Sequence, residues 1–288
     1  MRVLVLGHLG QLGSSLMHEL RRRLHEAYGT DVKGEGDEFL DITDSGQVAE
    51  ALDWIRPRAV ILCSAYTAVD KAEEDDEACR ELNSVAPGRI ARLCRERRTP
   101  LTYISTDYIF DGEKGAPYRE GDPTNPLCLY GASKLAGERR VLSALGEGAL
   151  IVRTGELYAA GGKNFVLTML ELGKRLKEVR VVADQIVAPT WTVPLATVIT
   201  GMVEECCTGI VHVTCDGEVS WADFARKIFE LAEIDCEVVD ITSEEYPAAA
   251  ERPKYSVLEH RRMHGLGFRM PHWEEALREF ISSLKSED

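Results

Sequence analysis

Short apolar runs alternate with longer stripes of apolar residues at helical spacing through the first two-thirds of the chain. Val3-Leu4-Val5-Leu6 is continuous and predicts a strand buried on both faces. From Gln11 to Tyr28, the residues Leu12, Leu16, Leu20 and Leu24 mark one stripe of an amphipathic helix. A weaker strand is expected near Gly29 to Val32, then a helix from Asp44 to Trp54. After Pro57 comes a core strand from Ala59 to Cys63. A helix over Asp75 to Arg98, with Pro87-Gly88 as an internal irregularity, precedes a strand at Leu101 to Ser105. Residues 111–127 are rich in Gly, Pro and charge and predict a surface loop. A helix from Leu129 to Leu145 and a strand from Ala149 to Arg153 follow. Beyond Arg153 the alternation loosens, with helices expected over Phe165 to Lys177 and Trp221 to Ala232, and a strand at Val179 to Val182.

Strand and helix in alternation is the mark of an α/β fold, here a Rossmann-type doubly wound parallel sheet with a smaller α/β C-terminal substrate domain. The expected division is 1–153 for dinucleotide binding and 154–288 mainly for substrate, with segments of the second part returning to the first.

Composition narrows the partners. Acidic residues outnumber basic ones by 48 to 34, a formal charge of −14, which argues against non-specific nucleic-acid binding and anionic membranes. No apolar run reaches membrane-spanning length, and the start of the chain enters a strand pattern rather than a signal peptide. The eight cysteines include no Cys-x-x-Cys pair and read as reduced thiols of a cytoplasmic protein. The seven histidines show no metal-ligand spacing, so no metal is expected.

Chemistry enters at Gly7-His8-Leu9-Gly10-Gln11-Leu12-Gly13, directly after the first strand and opening the first helix. Gly7 permits a tight turn, Gly10 lets backbone approach a pyrophosphate, and Gly13 lets the helix pack close to the sheet. Asp31, about 20 residues on, can accept bonds from ribose hydroxyls. Lys33 beside it would tolerate a 2′-phosphate, so NADPH and NADH both remain open. Asp41 and Ile42 are further candidates, at the adenine edge.

Tyr130-Gly131-Ala132-Ser133-Lys134 places a phenol and an ammonium on one helix face. Carbonyl reduction needs a proton donor at oxygen while hydride reaches carbon. A neighbouring cation should lower the phenol's pKa from about 10. Thr106, within Ser105-Thr106-Asp107 at a strand end, can orient a substrate carbonyl toward Tyr130.

These motifs resemble the extended short-chain dehydrogenase/reductase superfamily, and more narrowly the dTDP-4-dehydrorhamnose reductase family. The likeness runs through Thr67 to Glu73, Ser105-Thr106-Asp107-Tyr108-Ile109-Phe110-Asp111-Gly112, Tyr130 to Glu138, Asp184-Gln185, Ala188-Pro189-Thr190 and Arg252-Pro253-Lys254-Tyr255-Ser256. It implies hydride transfer from NADPH or NADH to C4 of a nucleotide-diphosphate 4-keto-6-deoxy sugar, with Tyr130 as proton donor. Through it, Cys63, Ser64, Ala65 and Tyr66 border the cofactor and Asn83 helps hold that site. Val69, Asp107 and Tyr108 face the sugar, and Arg252 meets the diphosphate. The resemblance is compatible with a homodimer.

Two positions depart from the family pattern. Glu156 stands where the family carries a Trp against the sugar, and Leu62 replaces a frequent Asn. Two other function classes share the fold: a non-catalytic NAD(P)-binding regulatory protein like the methionine adenosyltransferase regulatory subunit, and an epimerase. Thr106, Tyr130 and Lys134 together speak against the first. An epimerase would show no net consumption of its cofactor.

Overall fold

The computed structural model describes residues 1–286. Its central sheet has β1 (Arg2–Leu6), β2 (Glu26–Thr30), β3 (Ala59–Leu62), β4 (Leu101–Thr106) and β5 (Ala149–Thr154), joined by the strand Gly209–His212. The spatial order is Gly209–His212, β5, β4, β3, β1, β2, and every neighbouring pair is parallel. Every residue of β3, β4 and β5 is buried, which requires helices on both faces.

Side chains alternate across the pleat and so divide the core in two. On one face, α1 (Gln11–Arg22) and the helix Thr192–Glu204 bring Leu16, Leu20, Leu195 and Ile199 to the cluster containing Val3, Val5 and Ile61. On the other, α2 (Ser45–Ile55) and the helices Ala86–Glu96 and Leu129–Leu145 bring Leu52, Ile90 and Val141 to the cluster containing Leu4, Leu6 and Val60. The order reverses between β1 and β3, where an open parallel sheet leaves a crevice at its strand ends.

The later chain adds small pairings: Glu178–Val182 parallel to Glu237–Ile241, and Ile186–Val187 antiparallel to Val219–Ser220. Tyr158, Phe224, Trp273 and Phe280 pack ring to ring beside them. Among the described residues, no helix is long and apolar enough to cross a membrane.

The structure corrects three expectations. The first helix ends at Arg22 rather than near Tyr28, because Leu24 turns into the left-handed region at φ 61° and stands 91% exposed. Its side chain therefore leaves the stripe of Leu12, Leu16 and Leu20. The second strand accordingly starts at Glu26, opposite Arg2, and ends before Asp31.

The helix expected over Asp75 to Arg98 is interrupted by a π-helical turn at Glu81–Val85. Pro87 has no N–H to offer the carbonyl four residues back, which belongs to Asn83. The Tyr103 hydroxyl supplies the missing donor at 2.7 Å.

Candidate active site

The crevice begins at the glycine turn. Gly7 has φ +90°, and a Cβ there would stand 2.6 Å from the Ser64 amide nitrogen. A Cβ on Gly13 would stand 2.1 Å from the Gly7 carbonyl oxygen, so only glycine lets α1 start this close to β1. Gly10 is the N-cap of α1; no side chain caps that end and no acid lies in its first turn. Its first N–H groups and the helix dipole are therefore suited to an anion. A cradle of this shape, made by backbone and closed to any Cβ, fits a dinucleotide pyrophosphate. Gln11 borders it, accepting from Asn164 Nδ2 at 3.1 Å. The Leu12 side chain is buried in the core, which leaves only its backbone on the turn.

Asp31 lies just past β2, and its carboxylate accepts from the Lys33 amide at 3.0 Å. Asp41 accepts from the Thr43 amide and hydroxyl, each at 2.9 Å. Ile42 is 3% exposed, so its side chain belongs to the core rather than to an adenine edge.

Past β3, the half-buried segment Cys63, Ser64, Ala65 and Tyr66 forms the next wall. Burial pushes the Cys63 thiol up to about 12, so it stays protonated. Asn83 is completely buried, and its amide clasps the Tyr66 backbone by accepting from N at 2.8 Å and donating to O at 3.0 Å. It also donates to Ser133 Oγ at 3.0 Å. Asn83 is thus a brace behind the wall, not a surface that a cofactor could touch.

Thr106 closes β4, and Tyr130 and Lys134 lie one turn apart on the helix Leu129–Leu145. A Cβ on Gly137 would meet the Asn83 carbonyl oxygen at 2.1 Å, so this glycine sets how closely the helix approaches. Lys134 is 3% exposed, donates from Nζ to the Ile104 carbonyl at 2.5 Å, and sits 4.4 Å from the Tyr103 ring centroid. Burial pushes its ammonium down to about 8, with the Glu138 carboxylate opposing.

The Tyr130 phenol departs from the sequence expectation. Burial pushes it above its ordinary range, the Thr106 hydroxyl offsets part of this, and the Asp107 and Glu156 carboxyls push it further up. Before substrate binds, the Lys134 ammonium donates to the Ile104 carbonyl.

A buried network that the sequence reading misses supports this face. Ser105 donates to Glu138 Oε1 at 2.5 Å, and Arg153 meets Glu138 Oε2 at 2.8 Å with both side chains 3% exposed or less. Arg153 also contacts His212 Nε2 at 3.3 Å, which links β5 to the strand Gly209–His212. The spacing of Glu138, four residues beyond Lys134 on the same helix, is the signal that marks it.

Opposite lies a wall of side chains. Thr106 donates to Asp107 Oδ1 at 3.1 Å, and Tyr108 meets Tyr130 edge to face at 6.0 Å. The Asp107 carboxyl lies against Gly155, where a Cβ would stand 2.6 Å from it. The next residue, Glu156, takes φ 52°, a conformation that costs a non-glycine side chain about 1 kcal/mol or more. Its amide carbonyl is tied by Thr190 N at 3.1 Å. Burial pushes both carboxyls up, Glu156 further because Asp107 also repels its charge, while Arg252 opposes.

Arg252 makes a two-pronged pair with Asp70, at 2.8 and 3.1 Å. Asp70 also accepts from the Ala250 amide at 3.1 Å, which joins the segment 250–252 to the short helix Val69–Ala72. The half-buried Val69 heads that helix. Asp70 is a partner the sequence reading does not single out, although it stands beside Val69.

The family model described as RmlD substrate binding domain matches residues 1–286. A probable dTDP-4,6-dihydroxy-2-methyloxan-3-one 4-ketoreductase of Streptomyces antibioticus is 42% identical, across 99% of this chain and 96% of its own. The crystal structure of a dTDP-4-dehydrorhamnose reductase from Clostridium acetobutylicum matches with a TM-score of 0.93 and 41% identity, covering 99% of this chain and 100% of that one. A dTDP-4-dehydrorhamnose reductase from Bacillus anthracis, solved in complex with NADP, also reaches a TM-score of 0.93, at 40% identity over 98% of this chain and 99% of its own.

Proposed function

The chain belongs to the RmlD substrate-binding-domain family, and from that premise we propose that it reduces C4 of a dTDP-linked 4-keto-6-deoxy sugar at the expense of NADPH or NADH. The observation that carries this reading is the Thr106 hydroxyl, at the end of β4, hydrogen-bonded to Tyr130, with Lys134 one helical turn on.

When bound, the nicotinamide cofactor supplies the hydride that reaches the carbonyl carbon. Gly7, Gly10, Gln11 and Gly13, with the Leu12 backbone, bind its pyrophosphate. Asp31 and Asp41 face its adenosine half, and the 63–66 wall, braced by Asn83, lines its course. Thr106 donates to the substrate carbonyl oxygen and fixes its direction toward Tyr130. Tyr130, its phenol held protonated by burial, gives that proton to the oxygen as hydride arrives. The ammonium of Lys134 stabilises the phenolate left behind, which two nearby carboxyls would otherwise oppose.

Val69, Tyr108 and Arg252 form the substrate side, with Arg252 near the diphosphate. Glu156 and Asp107 give the sugar a polar wall that suits hydroxyl groups. Residues 1–153 serve chiefly the cofactor and 154–288 chiefly the sugar, with Thr192–Glu204 and Gly209–His212 returning to the first part. The cytoplasm, where nucleotide sugars and reduced cofactor meet, is the expected location.

Loss of NADPH or NADH absorbance on adding dTDP-4-dehydrorhamnose tests the proposal. Steady oxidation abolished by Tyr130→Phe is the expected result. Cofactor binding without oxidation of either cofactor would instead favour the non-catalytic regulatory class.

A further inference from the structure

Three potential metal ligands meet outside the residues assigned to reduction. Asp216, His260 and His264 each place a ligand atom within 4.8 Å of the other two. In the sequence, His260-x-x-x-His264 is easily passed over, because its third partner lies 44 positions away. The pair is set by a single turn: His260 is the N-cap of the helix Arg261–Gly265, and its carbonyl accepts from the His264 amide at 2.9 Å. Residues four apart on a helical turn share a face.

Asp216 is fixed by its backbone, which donates to the Pro271 carbonyl and accepts from the Trp273 amide, both at 2.9 Å. Its carboxylate meets His260 Nδ1 at 2.7 Å, and Thr214 Oγ1 lies 2.8 Å from His260 Nε2. Without metal the first contact is a hydrogen bond whose proton a bound cation displaces, and the second fixes the ring from behind, as outer partners of metal-bound imidazoles do. His264 carries the observation that packing leaves unexplained: its Nε2 is buried with no hydrogen-bond partner, at a cost that a bound cation would remove. His260 and His264 border a surface hollow whose charged lining is Glu218, Glu259 and Arg261, which gives an ion and its water ligands a way in.

We propose that Asp216, His260 and His264 form a binding site for a divalent transition-metal ion, with zinc the best-suited occupant. Two imidazoles and one carboxylate favour zinc, nickel or copper over magnesium, which prefers an all-oxygen shell. Ligand atoms around tetrahedral zinc lie roughly 3.3 Å apart, so Asp216 Oδ1 and His260 Nδ1, now 2.7 Å apart, part by a few tenths of an ångström while no separation in the set exceeds 4.8 Å. The ion would staple the loop after the strand Gly209–His212 to the turn at His260, a structural role independent of hydride transfer.

Calorimetric titration of the full chain with zinc chloride, stripped of metal beforehand and repeated with magnesium chloride, tests this. The expected result is one zinc per chain with no comparable magnesium binding, and a melting temperature that rises with zinc concentration. Changing His264→Ala should weaken zinc at least about tenfold while leaving metal-free melting unchanged. Should that variant melt early without metal, Asp216→Asn carries the same test from a half-exposed position. Absence of zinc binding, or binding that survives both substitutions and so resides elsewhere, for instance at Cys206 and Cys207, overturns the proposal. Because no sugar or nicotinamide enters the titration, its outcome is separate from that of the reductase assay.

Discussion

The two ends of the crevice, which we propose hold cofactor and sugar, are built from different materials. At β1 and α1 the surface is backbone, its shape enforced by two glycines where any Cβ would come within 2.6 Å of a neighbouring backbone atom. At the other end the surface is side chain, contributed by Asp107, Tyr108, Glu156 and Arg252 from separate segments of chain. A backbone site tolerates almost no substitution and recognises the charge and shape common to all dinucleotides. A side-chain site can be rewritten one residue at a time. The contrast fits relatives that match along nearly the whole chain and carry the names of different sugar reductases.

That comparison can be broken where the two ends meet. Tyr130→Phe should lower kcat by roughly 10²–10⁴-fold with cofactor affinity unchanged, as read from steady-state rates and cofactor fluorescence titration. Next comes a matched pair of glycine substitutions. Gly13→Ala should cost at least about tenfold in cofactor affinity, because the clash is with backbone that cannot move aside. Gly155→Ala should leave cofactor affinity alone and raise the KM for sugar by a similar factor, since its Cβ displaces the Asp107 carboxyl. Equal effects of both changes on both ligands would erase the distinction between the ends.

Glycines placed by turn geometry are legible in one dimension. Gly7, Gly10 and Gly13 follow a strand and open a helix, and that local context carries their meaning. Tyr130 and Lys134 are legible for the same reason, one helical turn apart. The side-chain wall is not local: Gly155 matters because Asp107, 48 positions earlier, lies on it. The support of Lys134 is likewise nonlocal, since Glu138 is fixed by Ser105 from β4 and Arg153 from β5.

The fold divides the same way. Apolar strands and amphipathic helices of the first half are readable. The helix Thr192–Glu204 is buried on nearly all sides and shows no stripe, and Gly209–His212 is too short to signal its place at the sheet edge. The early stop of α1 depended on one residue, Leu24, whose apolar character continued the stripe while its backbone left the helix.

Acid–base behaviour sharpens the comparison further. Lys134 is pushed down to about 8, so its ammonium is lost as pH rises through that value. The rate should therefore fall on the alkaline side by about tenfold per pH unit, while remaining level just below it. Glu156 is pushed up by burial and by Asp107, so its carboxyl is neutral at low pH and gains charge as pH rises. That charge opposes an anionic nucleotide sugar, and KM should climb with pH. Glu156→Gln should flatten the climb in KM while the alkaline fall in kcat persists. The shift is the smallest expected, a severalfold change in KM of about 1 kcal/mol.

The most direct test of the central claim follows the hydrogen itself. Cofactor carrying deuterium at nicotinamide C4 is turned over with dTDP-4-dehydrorhamnose, and the product is read by proton NMR and mass spectrometry. The account predicts one deuterium at sugar C4 for each cofactor oxidised, accumulating roughly 10²–10⁴-fold more slowly with Tyr130→Phe. Product with no deuterium at C4, or sugar converted without net oxidation of cofactor, would contradict it.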